Sequence, residues 1–283
     1  MKTCKLIVHA DDFGLTHSVN KGIIDAHQNG ILTSTSIMAN GPAFDEAIEL
    51  ALAVPTLDIG VHLTLVEESP LVSPSQITSI VNSSGKLLNN AKEVYLRYLK
   101  KRLDMEHVRA EFEAQIVKIK STGLPISHID GHQHLHILPN IFLVVVELAK
   151  KHNIQAIRIP KENIRRYMFR NITNIKRVME LAVLNIYASI SSTELNHPDA
   201  FVGFYYGGNI NYRNLESVIT HLPKDGTCGL MCHPGASSDD AKYSHWQYSW
   251  ADELNALKSI GIREQLDRQG VSLISYRDLN VNL

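Results

Sequence analysis

The feature that most constrains this chain is an alternation in which short apolar runs take turns with longer segments whose apolar residues recur at helical spacing. The runs predict strands at 5–9, 35–39, 58–63, 127–130, 156–159, 228–232 and 271–275, with helical segments at 18–28, 43–54, 91–122, 140–152, 174–190 and 214–221. At least six β/α alternations follow one another with no linker-like break, which predicts one domain over 1–283 with a Ser/Pro-rich surface insertion around 66–90. Apolar runs rather than alternating ones mark strands buried on both faces, so the expectation is an α/β fold with a parallel sheet inside and helices outside. A (β/α) barrel and an open doubly wound sheet both satisfy the pattern. The length favours a TIM-barrel-like (β/α) barrel, distorted or with fewer than eight strands, since such barrels take about 250 residues.

Charge and cysteine content narrow the partners. With 28 Lys+Arg against 29 Asp+Glu the formal net charge is −1, which leaves no global field for nucleic acid or an anionic membrane. The longest apolar stretch, 141–149, falls far short of the roughly 20 residues of a membrane span. Three cysteines, Cys4, Cys228 and Cys232, do not make a disulfide framework. The expectation is a cytoplasmic protein acting on a small molecule. A homodimer is compatible with the sequence but is not read from it.

Polar residues that resist an ordinary reading collect where the predicted strands end, the place where both architectures build their sites. Strand one runs into Asp11-Asp12, strand three into His62, strand four into the run from His128 through Asp130, His132 and His134 to His136, strand five into Arg158, and a late strand into His233-Pro234-Gly235. An isolated acidic doublet is as well explained by a helix cap, a lone strand-end histidine by a core hydrogen bond, and an arginine by a surface ion pair. The His128–His136 run is different. Its histidines and aspartate occupy alternate positions, so an extended backbone would turn them to one side, and no packing argument asks for that. Five strand ends converging on one face argue for a metal centre in which some of these groups serve as hydrogen-bonding partners of the ligands.

One aspartate and two histidines around a cation leave positions open for water and substrate, as a hydrolytic rather than a structural site requires. The doublet then has two roles to fill: one Asp holds the metal while its neighbour takes a proton from water. His233, fixed by the Pro-Gly turn behind it, suits general acid or base work near neutral pH.

The motifs HADDFG at 9–14, GVHLTL at 60–65, HIDGHQHLH at 128–136, IRIP at 157–160, CHPG at 232–235 and LISYRDL at 273–279 resemble, in order and over nearly the whole chain, the YdjC-like carbohydrate deacetylases. The stretch 66–87 is similar to the hopanoid-biosynthesis branch of that family called HpnK, while other members act on N-acetylated chitooligosaccharides. The resemblance implies a (β/α) barrel related to NodB-type polysaccharide deacetylases, one divalent metal ion, magnesium or zinc, and removal of acetyl from an N-acetylated sugar. Position by position, it implies Asp12, His62 and His132 as metal ligands, Asp11 as catalytic base and His233 as the group that protonates the departing amine. Many relatives carry Asn where this chain has His9, which is expected to add an imidazole near the mouth.

On this reading Asp130 and His128 orient His132 or its neighbours, and Arg158 steadies Asp11 or the substrate. Tyr205, Tyr206, Gly207 and Gly208 are expected to shape the sugar pocket, and His134 and His136 receive no role. The alternatives are another barrel metallohydrolase, amidohydrolase-like or phosphoesterase, and a carbohydrate-binding protein without catalysis. The amidohydrolase pattern puts its His-x-His pair after the first strand, whereas His132-Gln133-His134 follows the fourth. A mere binder has no use for both Asp11 and His233.

Overall fold

Residues 3–169, 175–237 and 242–280 are described in a computed structural model. Eight strands are present among them: β1 (Lys5–Phe13), β2 (Ser34–Ile37), β3 (Asp58–Leu63), β4 (Ile126–Gly131), β5 (Ala156–Ile157), β6 (Ala200–Val202), β7 (Thr227–Cys232) and β8 (Ser272–Ile274). Every strand pairing is parallel, in the order β5-β4-β3-β2-β1-β7-β6. β8 lies beside the first half of β1, at Lys5–Ile7, and β2 takes the same flank further along, from His9. β5 meets the segment that leads into β6 through one parallel bridge, Ala156 to Asn196, where Ile157 N donates to Asn196 O at 2.9 Å. The result is a distorted (β/α) barrel.

The helices are α1 (His17–Asn29), α2 (Phe44–Ala53), α3 (Ala91–Leu99), α4 (Met105–Lys120), α5 (Pro139–Lys151), α6 (Ile175–Ile190), α7 (Tyr212–Thr220), α8 (Trp250–Leu257) and α9 (Ile260–Arg268). Side-chain caps start several of them. Thr16, Asn90, Asp104 and Asn211 each accept a backbone N–H from the first turn of α1, α3, α4 and α7, worth about 1 kcal/mol apiece. The single helix expected over 91–122 is therefore two: Lys101 turns left-handed at φ +53°, and Asp104 caps a new start. β6, α8 and α9 were not anticipated. β6 is three residues long, too short for a periodicity to register.

The 66–90 stretch is more than a surface excursion. It brings Ile77, Ile80, Leu87 and Leu88 to full burial, and the buried Glu111 of α4 accepts from the N–H groups of Leu71 and Val72. At the opposite end of the barrel the chain after β8 forms a plug. Tyr276 is 1% exposed and stacks on His128 at 3.9 Å between ring centres, and Arg277 pairs with the buried Asp58 at 2.8 Å. The mouth at the carboxyl ends of the strands is left as the place for chemistry.

Candidate active site and metal centre

β1 delivers the acidic doublet. Both carboxylates are buried, and Asp12 sits at φ +67°, a left-handed conformation that costs a non-glycine residue about 1 kcal/mol or more. That turn sends the two side chains in different directions. Asp11 meets Arg158, just beyond β5, in a two-pronged pair: NH1 to Oδ2 at 2.8 Å and NH2 to Oδ1 at 2.6 Å. Arg158 NH2 also lies 2.7 Å from Asp130 Oδ2. Burial alone would raise the Asp11 pKa; the Arg158 charge and its hydrogen bonds outweigh it and hold the carboxyl at about 2.

Asp12 faces two imidazoles instead. His132 Nδ1 donates to Asp12 Oδ1 at 2.9 Å, and His62 Nε2 lies 3.2 Å from the same oxygen. Register explains the His62 orientation. β3 and β4 pair His62 with Asp130, so His62 Nδ1 donates to Asp130 Oδ1 at 2.7 Å. Its Nε2 is then turned toward Asp12, buried and without a hydrogen bond. Burial works against a charged His62, but Asp130 and Asp12 overcome it and push its pKa up to about 10. The pocket between Asp12, His62 and His132 thus calls for positive charge.

One ligand atom from each of these three residues lies within 4.8 Å of the others. The donor set fits a divalent cation: one carboxylate, a second-carboxylate-oriented imidazole with an unpartnered buried nitrogen, and a further imidazole. Two other groupings meet the same distance criterion, His9 with His128 and Asp130, and Asp11 with His62 and Asp130. Both contain a carboxylate already neutralised by Arg158, whose fixed positive charge opposes a cation there.

The histidine run does not stay extended. β4 ends at Gly131, and His132–Ile137 forms a 3-10 turn in which Gln133 and His134 are left-handed, at φ +52° and +55°. His132 alone reaches Asp12. His136 Nε2 donates to Arg158 O at 3.0 Å, and His134 packs against Phe201 and Phe204. Burial lowers the pKa of both, that of His136 to about 4, so they sit neutral beneath the mouth. Asp130 orients His62 rather than His132. His128 stacks on Tyr276, meets the His9 ring edge-on and bonds to Ser127 at 2.7 Å, with no hydrogen bond to His62 or His132. His9 lies not at the mouth but under the carboxylates, 1% exposed, between Ser34, Ser36 and Asp130.

His233 follows β7. Its turn is pinned from two sides: Gly235 N donates to Trp250 O at 3.1 Å and Ala236 N to Ser18 O at 2.9 Å, and Gly235 packs so closely on Gly22 of α1 that a Cβ at Gly22 would come within 2.3 Å of it. The fully buried Glu253 of α8 accepts from His233 N and from Ile210 N, with one oxygen 4.0 Å from His233 Nδ1. An arc of rings links His132 to His233 through Trp246 and Tyr248, at centre-to-centre distances of 5.1, 5.5 and 4.7 Å. Gly208, at φ +81°, makes room for Tyr248; a Cβ there would meet that ring at 2.2 Å. Tyr205, by contrast, is core: its hydroxyl donates to Met168 O. Glu253, Trp246 and Tyr248 carried no signal in the sequence, since each is an ordinary residue of a segment far from the polar strand ends.

A parallel β/α barrel with an Asp-His-His centre and a clamped carboxylate at its strand ends has the architecture of a hydrolytic enzyme. The comparisons with known proteins narrow that class. The profile of the YdjC-like protein family matches residues 5–268, and the chain belongs to that family. A carbohydrate deacetylase of Clostridium beijerinckii is 31% identical over 97% of this chain and 100% of its own length. One of Halalkalibacterium halodurans is 35% identical over 86% of this chain and 90% of its own. A crystal structure of an Enterococcus faecalis protein named for cellobiose-phosphate cleavage superposes with a TM-score of 0.77 at 27% identity, covering 98% of this chain and 99% of that one. The expected family, barrel and enzyme class, a carbohydrate deacetylase, are those these relatives carry.

Proposed function

We propose that the protein is a metal-dependent N-deacetylase that hydrolyses the acetamide of an N-acetylated amino sugar to acetate and a free amine. The observation that carries this reading is the Asp12-His62-His132 cluster set beside the ionised Asp11 and joined through the Trp246–Tyr248 arc to His233. A divalent cation held by Asp12, His62 and His132 would polarise the amide carbonyl and lower the pKa of water, and the donor set suits zinc, with magnesium the alternative.

The chain's own groups do the rest. Asp11, ionised at any pH near neutrality, receives the proton of the attacking water. Arg158 holds that carboxylate in place and in its ionised, proton-accepting form. His233 gives its proton to the amide nitrogen as the C–N bond breaks, and Glu253 fixes the backbone from which it works. Trp246 offers an apolar face for a sugar ring above His132.

A cavity of about 550 Å³ between residues 82–89 and 242–245, lined among others by Glu67, Asn82, Lys86, Asn89 and Tyr243, adjoins this mouth. Glu67 is shared, since it accepts from Trp246 Nε1 at 3.1 Å. The volume has room for further sugar units, which favours an oligosaccharide or glycoside. Among the described residues no helix is long and apolar enough to cross a membrane. The three cysteines are free and buried, in keeping with a reducing cytoplasm.

The test is acetate release from N-acetylglucosamine, its β-linked dimer and a lipid-linked glycoside, using chelator-stripped protein with and without zinc or magnesium. Metal-restored acetate from one of these substrates is the expected result. Stoichiometric metal binding with no acetate from any of them would refute the proposal.

A further inference from the structure

Glu67 stands in a backbone conformation that few residues adopt. Its φ is +68°, and Glu68 N donates to Val66 O at 2.8 Å across it, which closes a three-residue γ-turn of the rare, strained kind. The turn is enforced from outside: Glu67 N donates to Leu88 O at 2.8 Å and Leu87 N to Glu68 O at 3.0 Å. Strain of this sort persists only where the surroundings over-determine it, and it gathers at binding and catalytic sites. Its result here is that the carboxylate meets Trp246. The indole Nε1 donates to Oε2 at 3.1 Å and to Oε1 at 3.3 Å, and His245 Nε2 lies 3.2 Å from Oε1. The Trp246 ring is 5.1 Å from that of His132, centre to centre, so the carboxylate stands one indole away from the Asp12-His62-His132 cluster.

The same carboxylate lines the cavity of about 550 Å³ beside the mouth. Most polar groups of that lining are already spent. Asn82 accepts from Ser84 and from Lys86 N and donates to Leu87 O and to Asn89, whose own amide donates to Glu93. Lys242 and Tyr243 both donate to Glu68. Glu67 is different. A carboxylate accepts in about four directions, whereas Trp246 and His245 bring it one proton each at most. Among the described residues no lysine or arginine pairs with it, and its side chain keeps 14% exposure, so the spare capacity is within reach of a ligand.

We propose that Glu67 is the specificity-determining residue for the sugar unit linked to the one being deacetylated. This deepens the function proposed above and rests on it. The reacting ring lies on the indole face above His132, which the bond from Trp246 Nε1 to Glu67 fixes in place. The next ring enters the cavity, where Glu67 accepts from its hydroxyls and the exposed Lys86 at the rim donates. Hydrogen bonds to an ionised acceptor are stronger than those between neutral groups. This one is made away from the reacting atoms, so it selects substrates by length. The occupant is a neutral sugar, rich in O–H donors, because a carboxylate only accepts and repels a second negative charge.

Two measurements on the zinc-loaded full chain test this. One is acetate release from N-acetylglucosamine and from its β-1,4-linked dimer; the other is calorimetric binding of glucose and cellobiose, which carry no acetamide and are not turned over. In the unaltered protein the dimer of each pair is expected to be favoured at least about tenfold, in kcat/KM or in Kd, the worth of one charge-assisted hydrogen bond. Glu67→Ala is expected to cut that preference to within about twofold, and Glu67→Gln, which keeps one accepting oxygen, to recover part of it. Should Glu67→Ala fail to fold, Glu67→Gln alone must lower the preference at least about threefold. A residue that merely held Trp246 in place would move both members of each pair equally. Equal losses, an unchanged preference in either variant, no preference in the unaltered protein, or tighter binding of a cellobiose analogue with a glucuronate unit than of cellobiose each overturns the inference. No acetate from either substrate, with the cellobiose preference present and lost in Glu67→Ala, would refute the deacetylase and still support the subsite.

Discussion

Replacing Arg158 by Met removes the one guanidinium that neutralises two buried carboxylates. Arg158 is 1% exposed and makes contacts of 2.6 and 2.8 Å to Asp11 and 2.7 Å to Asp130. Breaking a buried pair by deleting one partner costs about 3–5 kcal/mol, because the remaining charge is stranded in a medium of low dielectric. A loss of about 4 kcal/mol at neutral pH is expected, a fall in Tm of roughly 10 °C for a chain of this size.

The pH dependence separates this cause from lost packing. In the unaltered protein Asp11 is held at about 2 against an ordinary 3.8, so its pairing stabilises the fold above the ordinary value and that contribution is lost as pH falls toward 2. Without Arg158, burial is opposed only by His62, which faces both carboxylates, and by the His9 contact to Asp130, so both carboxyl pKa values rise. Each carboxyl raised in this way adds less stability as pH rises than it does in the unaltered protein, while at low pH, where both are protonated, the difference vanishes. The gap between the two proteins should therefore shrink at pH 4.5 and widen toward pH 7.5. Urea unfolding at both pH values, in chelator to keep metal out of the balance, measures it. A gap below about 1 kcal/mol at pH 7.5, or one that does not change with pH, would show that the clamp is not electrostatic.

Three further outcomes follow from the same geometry. Glu162, 2% exposed and raised to about 7 by burial against an ordinary 4.5, has a folded pKa above the unfolded one, so stability present below pH 4.5 is lost as pH rises through 7; Glu162→Gln should gain about 3 kcal/mol relative to the unaltered protein between pH 4.5 and pH 8 in urea unfolding. Gly60 faces His128 across β3 and β4, and a Cβ there would come within 2.3 Å of Nε2, so Gly60→Ala should cost about 3 kcal/mol, with much of it recovered in a His128→Ala background, as a double-mutant cycle would report. His62→Ala and Asp12→Ala should each weaken zinc binding at least about 100-fold by calorimetry, while His134→Ala leaves it within about threefold, since His134 points toward Phe201 and Phe204; equal losses in all three would place the cation elsewhere.

The legible parts of this protein are those governed by local pattern. Strands buried on both faces must be apolar along their whole length, so β1, β3, β4 and β7 announce themselves within a residue or so at their starts. The groups beyond their ends stand out because they break that pattern. Asp11, Asp12, His62, Arg158 and His233 could be picked out for this reason, and the family resemblance rests on the same short motifs.

Which of these groups meet was decided only by the tertiary structure. Asp130 holds His62 because β3 and β4 pair with that register, a property of the assembled sheet and not of either strand. His132 alone of its run reaches Asp12 because the backbone leaves the extended state at Gly131 and passes through two left-handed residues, which the alternate spacing of histidines cannot reveal. Glu253, Trp246 and Tyr248 join the site through loops whose positions depend on how α1 and α8 pack against the barrel. Local periodicity reports which face of an element is buried; contacts between elements distant in sequence arise from the packing of the whole, and only the folded chain contains them.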